Sequence, residues 1–386
     1  VAALNVFPTI LSHAQEQGPK LNIGLIGCGG RGRWIANLFV ESNKYNLTAL
    51  ADYFPDKLTV AGKQFDVPEG KRFAGLAGYR RLLEQPLDAV VIESPPYFHP
   101  EQAAAAVEAG KHVYLAKPVA VDVPGCRTIE ESGRAATGRK LCFLVDFQTR
   151  ANPLYQRVVG LMHQGALGKL ISLEANYHCG PTFDDIDKRL RDNPNDPEVR
   201  LRAWGVSRLL SGDVITEQNI HALDVACWML GQNPIEAWGT GGKKRDFVGD
   251  CWDHFSVIYK FPNDLLLTFN SHQSGFGYDD IMCRAFGELG TVDTHYFGKV
   301  TLHTKEERIS AEVGSLYLDG AVANVEAFYN SIVKKDFSNP TVAQSVRSNL
   351  TSILGRTAAY LHSRVTWEDL MGEKEAFKPD LNGLKT

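Results

Sequence analysis

The chain has 386 residues, 44% hydrophobic and 22% charged, an ordinary globular composition whose length fits two domains or one large domain with an added arm. With 41 Lys and Arg against 45 Asp and Glu the formal net charge is −4 and no basic block runs along the chain, which argues against nucleic acid as a partner. No apolar run approaches the roughly 18 residues needed to cross a bilayer, and seven cysteines without a CxxC pair speak against a disulfide scaffold and a structural zinc site.

The apolar opening segment VAALNVFPTILSHAQ contains Ser12-His13-Ala14, with small residues at the spacing of a signal-peptidase cut. It also reads as an ordered N-terminal arm over residues 1–20, so location is open between exported and cytoplasmic. From Leu21 short apolar runs alternate with helical periodicity, the pattern of βαβ units on a parallel sheet. LNIGLIGCG, NLTALAD, LDAVVIES, KHVYLAKP and KLCFLVDFQ are the predicted strands; RWIANLFVESN, YRRLLEQ, HPEQAAAAVEAG and VPGCRTIEESGRAATG are the predicted helices. Residues 21–146 are thus expected to form a doubly wound α/β domain of the Rossmann type.

After Asp146 the pattern changes. PLYQRVVGLMHQGALG predicts a helix and LISLEANYHCG a strand, followed by PTFDDIDKRLRDNPNDPEVRLRAWG, whose density of Pro, Asp and Arg predicts a surface loop or lid. A helix is expected over about Thr216 to Leu230, ended by Gly231 and Pro234. DHFSVIYKF, DLLLTFNSHQ, IMCRAFG, GTVDTHY and KVTLHT predict strands of an antiparallel sheet, and Asn324 to His362 two helices. Residues 147–386 are therefore expected to form a second, α+β domain.

Gly27, Gly29 and Gly32 form GxGxxG directly after the first predicted strand. The first glycine permits a tight turn, the second lets a pyrophosphate approach the backbone, and the third lets helix and strand pack closely. Asp52 ends the second strand, 20 residues after Gly32, where an acid takes the ribose hydroxyls. A carboxylate there accepts from a 2′-hydroxyl and repels a 2′-phosphate, favouring NAD over NADP, with Lys57 softening the preference.

With these motifs in order, the sequence resembles the glucose-fructose oxidoreductase/inositol dehydrogenase/MocA (Gfo/Idh/MocA) family. The resemblance rests on GCGGRG, on SPPYFH at 94–99, on AKPVA at 116–120 where members carry E-K-P, on QTRANPLYQRVVGLMHQGALGKLISLEANY at 148–177, and on GDVITEQNIHALDVACWMLG at 212–231. It implies a Rossmann domain followed by a domain with a large, mostly antiparallel sheet. It implies oxidation or reduction of secondary alcohols of sugars and cyclitols, with Lys117, Glu217 and His221 in the catalytic positions. Gly30 and Arg31 of the turn, Ser94, Pro95 and His99, and Lys117 are the further expected cofactor contacts. Two departures stand out: Ala116 replaces the family's glutamate, and Glu217 its usual aspartate.

The chemistry of the residues agrees. Oxidising a carbinol removes a hydride from carbon and a proton from oxygen, so a base must reach the hydroxyl; His221 is a suitable type. On one continuous helix Glu217, His221 and Asp224 would share a stripe, letting a carboxylate orient the imidazole. Lys117 follows a strand's carboxyl end, where doubly wound sheets bind ligands. No metal is expected, since Asp213, Glu217, His221 and Asp224 make a poor zinc set. Tyr177, His178, Arg150, Asn152, Asp224, Arg202, Trp204 and Arg208 are candidate substrate contacts, aromatic faces with fixed polar groups suiting pyranose rings. The expected activity is NAD-dependent hydride transfer on a secondary ring alcohol. The alternatives are redox-assisted glycoside cleavage, in which transient ketone formation permits elimination, and a non-catalytic NAD-binding protein. A homo-oligomer, dimer or tetramer, is expected through the solvent face of the antiparallel sheet.

Overall fold

The computed structural model describes residues 18–182, 184–275 and 277–386; the expected arm lies outside them up to residue 17. Six strands build the first sheet: β1 Leu21–Ile26, β2 Tyr45–Asp52, β3 Arg72–Ala74, β4 Ala89–Ile92, β5 His112–Ala116 and β6 Phe143–Asp146. They are parallel and hydrogen-bond in the order β3-β2-β1-β4-β5-β6. Every residue of β4 is buried, as continuous apolar runs require when helices cover both faces. The order reverses between β1 and β4, and the crevice beyond their carboxyl ends is where such sheets take ligands. The helix Pro55–Gln64 went unread in the sequence; its proline occupies the first turn, where a missing N–H costs nothing.

The second sheet has nine strands: β7 Leu170–Cys179, β8 Glu236–Gly242, β9 His254–Lys260, β10 Leu266–Gln273, β11 Asp280–Gly287, β12 Gly290–His295, β13 Lys299–Thr304, β14 Arg308–Glu312 and β15 Val365–Thr366. Their order is β14-β13-β12-β11-β7-β10-β9-β8-β15. All neighbours are antiparallel except the central pair β7 and β10, which run parallel in register Tyr177 with Ser271 and His178 with His272. In β9, Phe255, Val257 and Tyr259 point into the core and His254, Ser256 and Ile258 away from it. Trp238, Ile258 and Leu266 stand exposed on that outer side.

Two C-terminal helices join the sheets. Leu316–Lys334 packs Val325, Phe328 and Tyr329 into one cluster with Phe39, Tyr45 and Tyr114 of the first sheet's layer. Pro340–Leu361 holds the chain after Lys117: Asn349 Oδ1 accepts from Val119 N at 2.9 Å and its Nδ2 donates to Ala120 O at 3.0 Å. Buried Arg356 of the same helix donates to Val121 O at 2.9 Å and Gly212 O at 2.7 Å. Two expected site segments, after β5 and around residue 212, are thus pinned to one helix.

Two expectations differ from the structure. The polar stretch after β7 contains helices Asp184–Asp192 and Pro197–Arg202. Its Asp-Pro density is capping chemistry, with Asp196 accepting from Glu198 N at 2.8 Å and Val199 N at 3.1 Å. The expected helix over Thr216–Leu230 is instead two, Val214–Glu217 and Ile220–Leu230, broken at Gln218 and Asn219. Gln218 there ties its side chain to Thr182 at 2.9 Å and to Gln273 at 2.6 Å.

Candidate active site

Gly27 leaves β1 at φ +94°, and a Cβ there would meet the Glu93 carbonyl carbon at 2.5 Å. A Cβ on Gly32 would come within 1.8 Å of Gly27 O. Both positions require glycine for packing. Gly29 and Gly30 face open space, and the helix Gly30–Glu41 starts with no side chain capping it. Its free amides and the open space at Gly29 and Gly30 are the donors and room by which a helix N-terminus takes a diphosphate. At the far end Asp52 accepts from Cys28 N (2.7 Å) and Phe54 N (2.8 Å). Two bonds leave a carboxylate acceptor capacity for a ribose; burial raises its pKa, and the two backbone donors oppose that shift.

The other end of the crevice is built around Lys117, whose peptide bond to Pro118 is cis. Its Nζ donates to Glu217 O at 2.6 Å and lies 3.5 Å from Glu217 Oε1. Burial holds this ammonium below the ordinary lysine pKa, against the pull of Glu217. His221 is buried, its Nδ1 without a hydrogen-bond partner among the described residues. Phe147 and Tyr296 face its ring at 6.5 and 5.7 Å between centroids. Burial first, then the charges of Lys117 and Arg31, push its pKa well below the ordinary histidine value, so the imidazole is neutral at neutral pH. The helix break separates Glu217 from His221, and the carboxylate steadies Lys117.

Other predicted positions lie elsewhere. Arg150 and Asp224 face each other: Arg150 Nη2 and Nε reach Asp224 Oδ1 and Oδ2 at 2.8 and 2.9 Å, with Ser348 Oγ also donating to Asp224 at 2.7 Å. This buried pair leaves neither side chain open to a ligand. Asn152 caps the helix Pro153–His163. Burial first, then the charges of Cys179, Glu217, Tyr296 and Tyr317, raise the Tyr177 phenol well above its ordinary pKa, whereas His178, one residue on, stacks on His272 at 4.1 Å. His178 lines a cavity of about 310 Å³ with Thr240, His254, Ser256 and Asn270 on the outer side of the sheet, because successive strand residues alternate faces. Arg202 pairs with Asp56 at 2.6 Å and lies 3.7 Å from the Phe54 ring centroid. Trp204 packs in the same apolar cluster as Phe54, beside the Asp52 end. Arg208 lies over the Tyr360 ring at 4.5 Å.

His99 is buried between Pro118 O (2.8 Å) and Ser94 O (2.7 Å), bracing the two loops; burial lowers its pKa to about 4. Ser94 Oγ donates to Gln102 at 2.6 Å. Asp213 is occupied by Val214 N, Trp252 N and Tyr360. Among the described residues no group of three or more His, Cys, Asp or Glu side chains is disposed to hold a metal, and no helix is long and apolar enough to cross a membrane. Phe147, Tyr296 and Glu93 went unread in the sequence; each precedes or follows a strand end with no motif to mark it.

Comparison with known proteins decides the family. Residues 21–147 match the family model described as an oxidoreductase family with an NAD-binding Rossmann fold, and residues 155–293 match the GFO/IDH/MocA C-terminal domain. The chain belongs to the Gfo/Idh/MocA family. Inositol 2-dehydrogenase 2 of Saccharopolyspora erythraea is 28% identical over 291 residues, 74% of this chain and 76% of the relative. Levoglucosan dehydrogenase of Pseudarthrobacter phenanthrenivorans is 26% identical over 307 residues, 72% of this chain and 74% of the relative. The fold matches apo scyllo-inositol dehydrogenase from Lactobacillus casei with a TM-score of 0.70 at 19% identity, covering 91% of this chain and 99% of that one. A levoglucosan dehydrogenase complexed with NADH and levoglucosan matches with a TM-score of 0.71 at 19% identity, over 90% and 99% of the two chains. This Gfo/Idh/MocA protein is therefore an NAD-dependent oxidoreductase acting on CH–OH groups, and the glycine cradle and Asp52 are the features that fit its cofactor.

Proposed function

We propose that the protein moves a hydride between NAD and a secondary ring alcohol of a sugar, glycoside or cyclitol. The observation that carries this reading is the placement of buried His221, its Nδ1 without a partner among the described residues and its ring faced by Phe147 and Tyr296, where it feels the charge of Lys117 at the carboxyl edge of the first sheet. The names of the inositol and levoglucosan dehydrogenase relatives support the substrate class, and the near-neutral net charge of −4 suits an uncharged polyol. Bound nicotinamide supplies the hydride acceptor or donor. In oxidation the neutral His221 imidazole accepts the hydroxyl proton. The Lys117 ammonium hydrogen-bonds the same oxygen as it becomes a carbonyl. Glu217 holds the Lys117 side chain in place through its backbone oxygen. Tyr177 and Tyr296 offer ring faces and hydroxyls to the sugar.

The test is turnover of cyclitols, sugars and anhydrosugars, followed by reduced-nicotinamide absorbance, in the wild type and in Lys117→Ala and His221→Ala. Each variant should retain NAD binding and lose about 10²- to 10⁴-fold in kcat, the range for a positioned proton-transfer group; unchanged rates in both overturn the assignment. NAD-dependent release of aglycone from an aryl glycoside, without net reduction of the cofactor, would instead support oxidation-elimination. The exposed Trp238, Ile258 and Leu266 on the outer sheet face support self-association, read by light scattering as a dimer or tetramer.

A further inference from the structure

Glu93 is a buried acid of this crevice that the catalytic reading leaves unused. It follows β4 directly, at the point where the strand order reverses, and its amide donates to Ile26 O at 2.8 Å. Its backbone lies against Gly27 and its Cβ against Gly32, so the carboxylate starts from the floor of the dinucleotide turn. Only 1% of the side chain is exposed. Neither carboxylate oxygen has a hydrogen-bond partner among the described residues; Arg31 Nε stands 3.1 Å away as an ion pair out of hydrogen-bond alignment.

The charges around it come from four elements. Arg31, on the helix Gly30–Glu41, also reaches Asp146 at the end of β6 at 2.6 Å and donates to the Tyr317 hydroxyl. Lys117 beyond β5 adds a second positive charge; Tyr114 of β5 and Tyr317 of the helix Leu316–Lys334 add neutral phenols. Asp146 is satisfied by Arg31, Gln148 Nε2 at 2.6 Å and Asn324 Nδ2 at 2.8 Å. Arg31 thus stands between two buried carboxylates. Asp146, equally buried, has three donors; Glu93 has none besides the ion pair. Buried ionised carboxylates without donors are costly and take up a proton readily. Burial, opposed by Arg31, pushes Glu93 up to about 7.

We propose that Glu93 is a proton-linked sensor of the cofactor's redox state, ionised when NAD with its cationic ring is bound and protonated when the reduced form with its neutral ring is bound. The diphosphate is common to both forms, so the only charge that distinguishes them is the ring's. A carboxylate buried in low dielectric feels that charge strongly. The sign follows from linkage: binding NAD drives the proton off Glu93, so NAD binds more weakly as pH falls, while NADH, which tolerates the protonated form, does not. The inference rests on the NAD site alone and not on the roles of Lys117 and His221.

The experiment is equilibrium binding of NAD and of NADH to the whole protein between pH 6 and 8.5, without substrate, together with infrared difference spectra of the two complexes. The ratio of the NAD to the NADH dissociation constant should rise as pH falls, by no more than about tenfold per pH unit for one proton. The protonated-carboxyl stretch should be present in the NADH complex and absent in the NAD complex. In Glu93→Gln the ratio should be flat and the band difference gone. A persisting pH-dependent ratio in Glu93→Gln, or a wild-type spectrum with no carboxyl difference between the complexes, overturns the proposal. The wild-type spectrum decides the matter even if Glu93→Gln does not fold.

Discussion

At the scale of single residues, hydrogen-bond accounting separates side chains whose polar atoms are already paired from those left open. Asp224 Oδ1 accepts from Arg150 and Ser348 and its Oδ2 from Arg150, whereas His221 Nδ1 has no partner among the described residues. Removing one partner of a buried pair strands the other charge. Asp224→Asn should therefore lower stability by about 3–5 kcal/mol in urea unfolding, while KM for substrate in the folded fraction stays at the wild-type value. A raised KM with unchanged stability would return Asp224 to the substrate site. The two groups proposed to move the proton also set a pH profile. His221 is held well below the ordinary histidine pKa and Lys117 below the ordinary lysine pKa, both primarily by burial. Because the reaction as proposed uses neutral imidazole and charged ammonium, kcat for oxidation should be flat through neutrality. It should fall on the acid side below the usual histidine range, and on the alkaline side before free lysine titrates. Lys117→Arg should remove the alkaline fall, since a guanidinium does not deprotonate there; an alkaline limb that persists in that variant counts against Lys117.

At the scale of elements, the sequence was most legible where local pattern and tertiary context agree. The strand-turn-helix around Gly27, Gly29 and Gly32 combines apolar run, glycine spacing and Asp52, and all three serve one geometry. The glycines nevertheless act differently, which is testable. Gly29→Ala places a methyl in open space, so the fold should stand unchanged by circular dichroism and thermal melting while NAD affinity drops, by calorimetry, about tenfold or more as the methyl enters the diphosphate cradle. Gly32→Ala drives a methyl against Gly27 O and should lower the melting temperature as well. Equal stability losses in both would mean that the turn is merely a packing device. Legibility failed where nonlocal contacts override the local pattern. Nothing between Thr216 and Leu230 marks the break at Gln218, because its partners Thr182 and Gln273 are remote in sequence. Tyr177 and His178 are both candidate substrate contacts in the sequence, yet a strand sends them to opposite faces. Arg202 and Trp204 looked like sugar contacts and lie instead beside Phe54, a juxtaposition made by the fold of the 184–206 segment.

At the scale of the whole molecule, a sequence boundary near residue 146 does not divide the hydrophobic core. Phe328, from the helix Leu316–Lys334, meets Phe39 and Tyr114 edge-on at 6.4 and 5.7 Å, and Tyr329 meets Tyr45 at 5.7 Å. Tyr45 donates its hydroxyl to Val325 O at 3.0 Å. A face of the first sheet's layer carrying Phe39, Tyr45 and Tyr114 is therefore apolar and uncovered until the chain returns some two hundred residues later. Lys44 adds an ion pair to Glu326 on the same helix, but as a partly exposed pair it contributes little beside the aromatic burial. Residues 18–150 expressed alone should expose this face and show no cooperative unfolding transition. Supplying Leu316–Lys334 through a flexible linker should restore one, because it returns the missing cover without the second sheet. In the full chain Phe328→Ala should cost about 3–5 kcal/mol and weaken NAD binding in parallel, since Arg31 and Tyr317 share that interface. If the short fragment melted cooperatively and bound NAD with full affinity, the dinucleotide half would be autonomous and the helix a mere attachment.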